Sequence, residues 1–328
     1  MALFEPDASV YDDRDALRED YQPNSVVGRT EELDAYKSAL QPVINGEQPN
    51  NIFLYGKTGV GKTVTTRYLL DHLQHDVEAH ADLKLNVIVL NCDGVTTSYQ
   101  VATRLVNRLR GPTRQISSTG YPLATVYEKL WADLDALGGT VLVVLDEVDT
   151  IEDDSILYQL PRARDNGNHS ATKLGLIGIS NDFEFRRGLS SRVKSSLCET
   201  ELHFPTYNAD ELRSILERRV EVAFRDGVVD DAVIRYCAAI GARDAGDARQ
   251  SIELLMKGGD LAREENADRV TEAHVRRGKE LLERTRVTEG IAGLSSHGRY
   301  ILYALVTLHL EDATPVRTRD LRPRYTTI

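Results

Sequence analysis

Four short apolar runs punctuate the first part of the chain: Ile52–Tyr55, Val87–Leu90, Val141–Leu145 and Leu176–Ser180. Each has strand length and almost no polar interruption, the pattern of a parallel sheet covered on both faces. A fifth run, Glu199–Phe204, is more mixed and suits an edge strand. Helix-length segments such as Thr63–Leu73 and Tyr99–Leu109 lie between them, so strand and helix alternate and the first domain is predicted to be α/β.

After Pro205 the strand pattern stops and a helical bundle is predicted. Asn208 followed by Glu211 reads as a capping box, Leu212, Ile215, Leu216, Ala223 and Phe224 fall on one helical face, and Gly227 closes the helix. Further helices are expected over Asp231–Ile240, Ala245–Gly258 and Thr271–Thr285. The stretch Arg286–His297, rich in Thr, Ser and Gly, reads as a linker, and Gly298–Leu310 as one more apolar helix before a polar, basic end. Met1–Gln22 is acid-rich with little apolar periodicity and reads as a loose or partly helical arm. These shifts divide the chain into an arm (1–22), an α/β domain (23–206), a helical domain (207–285), a linker (286–297) and a last segment (298–328).

Composition narrows the classes. The chain has 328 residues, enough for two compact domains. No apolar stretch approaches membrane-spanning length, and the N-terminus lacks the basic start and apolar core of a signal peptide, so a cytoplasmic location is expected. Cys92, Cys198 and Cys237, far apart and odd in number, suit reduced buried thiols better than disulfides or a metal cluster. The net charge of −11 sets the whole-molecule field against nucleic acid, so any DNA contact has to come from local basic patches. Only 9 of the 40 basic residues are Lys, and an acid-rich, lysine-poor surface suits adaptation to high salt.

Two motifs carry chemistry. Gly56-Lys-Thr-Gly-Val-Gly-Lys-Thr63 is a complete phosphate loop, set directly after one apolar strand and before a helix. Gly56, Gly59 and Gly61 let the backbone through Val60 curl its N–H groups onto phosphate oxygens. Lys62 can reach the β and γ phosphates, Thr63 can hold Mg2+, and the helix N-terminus adds partial positive charge. The second motif, Val141-Leu-Val-Val-Leu-Asp146-Glu147-Val-Asp149, delivers adjacent carboxylates at the C-terminal end of a buried strand, where ligands sit in open α/β sheets. If the strand alternation continues, Asp146 faces the metal and Glu147 faces the γ-phosphate side, where it can polarise water for hydrolysis of a phosphoanhydride.

With PNSVVGRTEEL ahead of the loop, NIFLYGKTGVGKT, VLVVLDEVD, IGISND, LSSRVKSSL followed by FPTYNADEL, and GDARQSIELL, all in order, the chain resembles the AAA+ ATPases. Within them it looks like the archaeal replication initiators of the origin-recognition and cell-division-cycle type, from about Tyr21 to about Thr285. The resemblance implies a parallel-sheet ATPase domain with a helical lid, binding ATP and Mg2+ and hydrolysing ATP slowly as a switch.

It also assigns roles: Asn181 senses the γ-phosphate, Arg249 reaches it from the lid, and Arg192 is offered to a neighbouring subunit's nucleotide. Tyr207 and Arg219 line the pocket from the lid side, and Val26, Val27 and Gly28 contact adenine. On their residues alone, Asn181 reads first as a strand-ending turn residue and Arg249 as an exposed helix arginine, while core packing accounts for Tyr207 and Arg192 is equally a solvated cation. Asn91–Tyr121, with Arg104, Arg108, Arg110 and Arg114, is where the family's DNA-touching helical element would fall; a solvated helix face is the alternative.

The implied partners are double-stranded origin DNA and a replicative helicase or second initiator subunit. A nucleotide-binding regulatory paralogue and a clamp-loader-like ATPase are the rival readings. Such relatives usually end in a winged helix that docks in the major groove, and only its first helix fits after Ser295. Weakened origin binding is therefore expected, with Tyr300, Ile301, Tyr303, Leu305 and Val306 left as a sticky or disordered tail.

Overall fold

The computed structural model describes residues 10–164, 166–167, 171–197 and 199–328. Cys198 and the first residues of the arm, 1–9, lie outside the described residues. The α/β domain comprises α1 (Thr30–Ile44), β1 (Ile52–Tyr55), α2 (Lys62–Glu78), β2 (Leu85–Asn91), α3 (Ser98–Leu109), α4 (Leu123–Leu137), β3 (Gly139–Asp146), α5 (Ser155–Gln159), β4 (Thr172–Ser180), α6 (Phe185–Gly188), α7 (Ser191–Leu197) and β5 (Thr200–His203). The helical part continues with α8 (Ala209–Ala223), α9 (Asp231–Asp244), α10 (Ala248–Glu264), α11 (Glu272–Gly293), α12 (Ser296–Leu310) and α13 (Thr318–Thr327).

The five strands pair in parallel in the order β2-β3-β4-β1-β5. All five predicted strands are present, and the mixed run becomes the edge strand β5. Both sheet faces are covered, which explains the unbroken apolar runs: α1 and α2 pack on one side with Tyr36, Leu40 and Leu70, and α3, α4 and α5 on the other with Leu105, Leu130 and Ile156. The order puts β3, β4 and β1 side by side, so the chain leaving their C-terminal ends converges on one place.

A third core belongs to the lid, and the arm is part of it. Val10, Tyr11, Ala16 and Leu17 are buried among Leu216, Phe224 and Leu254. The arm beyond residue 9 is therefore not loose. Tyr11 forms an antiparallel bridge with Phe224, its hydroxyl donates to the Met256 carbonyl (2.9 Å), and Arg14 holds the Asp260 carboxylate through two bonds of 2.8 and 2.7 Å. Burial apart, few of these contacts leave a periodic signature, which is why the sequence pattern reads as irregular.

The same docking corrects the end of α8. The predicted capping box at Asn208 and Glu211 forms, but the helix stops at Ala223 because Phe224 is extended to pair with the arm; Gly227 (φ 71°) sits in the turn beyond. The segment 286–297 is not an irregular linker either. α11 continues to Gly293, with the Thr285 and Thr288 hydroxyls donating to carbonyls one turn back and Arg286 paired with Glu253 at 2.9 Å. Beyond it α12 forms over nearly the predicted span and packs with α13, which the polar end of the sequence did not announce. Tyr300, Ile301, Tyr303 and Val306 are exposed as expected, while Leu305 is half-buried. Cys92 and Cys237 are free and buried, and burial pushes each thiol up to about 12.

Candidate functional site

The phosphate loop connects β1 to α2 and is shaped by close approaches that only glycine allows. A Cβ on Gly59 (φ 75°) would lie 1.6 Å from Asp247 Oδ1, and one on Gly61 (φ 90°) 2.5 Å from the Tyr207 hydroxyl. Gly56 packs against the Phe204 carbonyl of the β5 exit and does not face the cavity. Val60 is fully buried in the core between the sheet and the helices α1 and α2, and it does not line the cavity.

Lys62 follows at the first position of α2 and is only 4% exposed. Its ammonium donates to the Gly56 and Lys57 carbonyls (2.8 and 2.7 Å) and to Asn181 Oδ1 (2.9 Å). Burial pulls it down to about 8, against the opposing pull of Asp146 and Asp149. Thr63 Oγ1 donates to Asp146 Oδ2 at 2.9 Å, bringing a hydroxyl from the first turn of α2 and a carboxylate from the end of β3 together.

The acidic pair is arranged differently from the alternation expectation. The strand ends at Asp146, and Glu147 adopts a left-handed conformation (φ 57°, ψ 43°), so both carboxylates line the same cavity. A non-glycine residue in that region carries backbone strain, which is concentrated at functional positions. Burial, then Asp146, Asp93 and Asp149, raise Glu147 above the ordinary carboxylate range. Asn181 leaves β4 between the two motifs. Its backbone N–H donates to Asp149 Oδ1 (3.0 Å), while its side chain accepts from Lys62, which gives the turn residue a definite place in the site.

The lid closes the cavity of about 750 Å³ from above. Arg249 lines it from the start of α10, in an exposed ion pair with Glu19 of the arm at 3.3 Å. Tyr207 is 5% exposed and also lines it. Arg219 stacks 4.4 Å over Tyr21 and donates to the Ala16 carbonyl (2.9 Å), so its first task is holding the arm, and burial lowers its affinity for the proton. Val26 and Val27 form the apolar end, whereas Gly28 (φ 70°) turns against Glu211 instead.

Arg192 lies elsewhere, exposed on α7 and stacked 3.8 Å over Tyr158, outside the cavity lining. On the α3 side Arg104, Arg108 and Arg114 are exposed, but Arg110 is held in a two-bond pair with Asp133 (2.6 and 3.1 Å).

The sequence reading missed three contributors. The arm supplies one wall through Leu17, Glu19 and Tyr21, and Arg218 lines the base end, donating to Ser25 Oγ at 2.9 Å. Arg29 is 1% exposed and holds the loop from behind. A buried arginine gives no periodic signal; the nearest hint is its position beside Gly28 at the entry to α1.

The donor set fits a nucleoside triphosphate with a divalent cation. The glycine curl leaves room for close approach of phosphate to backbone N–H groups, an ammonium overhangs it, and a hydroxyl and a carboxylate, both hard oxygen donors, stand in contact.

Fold and site together define a nucleotide-site protein of the AAA+ class. A family profile described as "AAA domain" matches residues 45–186, and one described as "Cdc6 AAA+ ATPase-type lid domain" matches residues 213–280. The chain is 64% identical over 326 residues to ORC1-type DNA replication protein 11 of Haloarcula marismortui, covering 99% of this chain and 79% of that protein. It is 50% identical over 329 residues to ORC1-type DNA replication protein 10 of Halobacterium salinarum, covering 100% of this chain and 80% of the relative. Among solved structures, that of the Aeropyrum pernix ORC1 protein in complex with DNA superposes with a TM-score of 0.83 at 35% identity, covering 97% of this chain and 81% of that one. The chain belongs to the ORC1-type DNA replication proteins.

Proposed function

We propose that the protein is a replication initiator whose ATP state sets its shape. The observation that carries this is the convergence, from three adjacent strands, of the phosphate loop, the Asp146–Glu147 pair and Asn181 beneath a lid that lines the same cavity with Arg249. Thr63 and Asp146 would hold Mg2+, which when bound would supply charge neutralisation to the β and γ phosphates.

Lys62 would trade its carbonyl and Asn181 acceptors for phosphate oxygens, and the charge-assisted bonds it gains are stronger than those it gives up. Glu147, whose proton affinity is raised by burial and by its acidic neighbours, would orient the attacking water and accept its proton. Asn181, fixed by Asp149, would report the γ-phosphate to β4, and Arg249 would report it to the lid by leaving Glu19. Only interactions made with the triphosphate and lost with the diphosphate can make the lid position differ between the ATP and ADP states, so these two residues are the switch. Turnover is slow because Arg192, the fork for a neighbour's nucleotide, lies outside its own chain's cavity.

The relative from Aeropyrum pernix has been solved with DNA. On that likeness, double-stranded origin DNA is the ligand we assign to this chain, met by local cations such as Arg104, Arg108 and Arg114, since the whole molecule carries −11. A replicative helicase or second initiator subunit is the partner that reads the ATP state, and the setting is cytoplasmic. Titration of origin-region duplex DNA at several salt concentrations, with ATP and with ADP, tests the proposal. Affinity that depends on which nucleotide is bound supports it; equal affinity in both states contradicts a nucleotide switch.

A further inference from the structure

Two consecutive peptides of the phosphate loop are gripped through their carbonyl oxygens, one by the start of the lid helix and one by a side chain that lies outside the cavity. The Gly59 carbonyl accepts the backbone N–H of Ala248, the first residue of lid helix α10, at 3.1 Å. The next carbonyl, Val60, accepts both Nε and Nη2 of Arg29, at 3.2 and 2.9 Å. A trans peptide points its C=O and its N–H in opposite directions. Holding the Gly59 and Val60 oxygens outward therefore aims the N–H groups of Val60 and Gly61 inward, into the bend of the loop.

Arg29 does more than fix one oxygen. The same Nη2 donates to the Pro205 carbonyl (2.6 Å), where β5 gives way to the lid, and the guanidinium lies 3.7 Å over the ring of Tyr207, whose hydroxyl abuts Gly61. Its carboxylate neighbour, Glu32, is at 3.4 Å. A guanidinium buried to this degree is costly to desolvate, and its planar fork reaches two backbone carbonyls and an aromatic face at once, which a lysine ammonium cannot reproduce. Arg29 does not line the cavity, so it acts on a ligand only through the loop.

We infer that Arg29 is a positioning residue of the nucleotide site. Arg29 and the Ala248 N–H orient the two loop N–H groups that receive phosphate, and the second grip belongs to the lid. Lid docking and phosphate affinity are then coupled through the backbone, by a route separate from the Arg249 side chain. This rests on the nucleotide reading of the site.

The test measures ADP affinity by calorimetry, and unliganded melting temperature alongside it, for the full chain and two variants. Arg29→Lys keeps the charge and loses the fork. Ala248→Pro removes the one N–H at a helix N1 position, where proline is well tolerated, after a residue whose extended backbone (φ −101°, ψ 114°) already suits a following proline. Each is expected to weaken ADP binding about tenfold or more, the scale of a lost hydrogen bond to a charged group. In Ala248→Pro the ring Cδ takes the place of the amide hydrogen and pushes the Gly59 carbonyl off its contact, so the loss of ADP affinity should exceed what any drop in unliganded melting temperature accounts for, which a merely structural role for the contact would not give.

Should Arg29→Lys fail to fold, Ala248→Pro decides alone. A folded variant of either kind with parental ADP affinity overturns the inference. Lys62→Ala in parallel separates the failures: if it also leaves ADP affinity unchanged, the nucleotide reading itself is wrong, and if it abolishes binding while both other variants bind normally, only the positioning role falls.

Discussion

Replacing Lys62 by Met removes the ammonium and keeps most of the apolar volume, and its two consequences have opposite signs. In the unliganded protein the side chain is 4% exposed, and its proton affinity has fallen from 10.5 to about 8. That fall is the net of burial, which disfavours the cation, and of Asp146 and Asp149, which favour it, and it corresponds to about 3 kcal/mol against the buried ammonium relative to water. Loss of the three hydrogen bonds to Gly56, Lys57 and Asn181 offsets part of the relief, so unliganded Lys62→Met should melt at or somewhat above the parent temperature.

With nucleotide the sign reverses. A charge-assisted phosphate contact contributes about 1.5–3 kcal/mol, so ADP affinity should fall ~10- to 150-fold. At an ADP concentration 100 times the parental Kd, the ligand stabilises by about 2.7 kcal/mol, of which the variant should lose roughly half to nine-tenths. Differential scanning fluorimetry with and without ADP–Mg2+ reads both effects. Linkage gives a further check: between pH ~8 and ~10.5 the unfolded chain holds a proton that folded Lys62 has released, so parental stability should gain a rising component with pH across that window, and the variant should lack it. A variant that melts well below the parent while keeping its ADP response would refute the reasoning.

Other consequences follow from separate parts of the site. Glu147→Gln should leave ATP affinity within about threefold of the parent and slow turnover ~100-fold or more, in a single-turnover assay; unchanged turnover denies Glu147 the proton-accepting role. Arg14→Ala should destabilise the chain by about 1–3 kcal/mol in urea unfolding, because it leaves the Asp260 carboxylate, 13% exposed, without its principal partner. Asp260 is held below the ordinary carboxylate range mainly by that bond working against burial; its contribution is complete above about pH 4 and is lost as pH falls through the depressed value, so the parent and Arg14→Ala stabilities should converge in acid. The acid-rich surface, 51 Asp and Glu against 40 Lys and Arg, should make the melting temperature rise from dilute buffer to molar KCl; a flat or falling profile contradicts a salt adaptation.

The two motifs and the apolar runs were legible because each obeys a short-range rule. Strands buried on both faces must be continuously apolar, and a phosphate loop needs its glycines, lysine and threonine at fixed spacing between strand and helix. Their meeting could be foreseen from topology, since loop, acidic pair and Asn181 all leave the C-terminal edge of one sheet.

What stayed hidden depends on tertiary context. Arg29 is a charged residue with no periodic partner, and its role appears only when Val60, Pro205 and Tyr207 surround it. The arm looked irregular because Tyr11, Arg14 and Leu17 bind the lid one at a time, through a bridge, an ion pair and an apolar contact, rather than as a helix face. Glu147 was expected to follow strand alternation; the left-handed turn that brings it beside Asp146 is a single backbone choice invisible to a period-two pattern. The continuation of α11 through Gly293 shows the converse, a Thr- and Gly-containing stretch kept helical by i to i−4 hydroxyl bonds and a neighbouring helix's Glu253.

A crystal structure of the full chain grown with a non-hydrolysable ATP analogue and Mg2+ tests the central claim most directly. It should place the phosphates against the N–H groups of Val60 to Thr63 with Lys62 turned onto them, the cation on Thr63 and Asp146, and the base between Val27 and the lid. Nucleotide bound at another surface, or this cavity closed to it, would contradict the account.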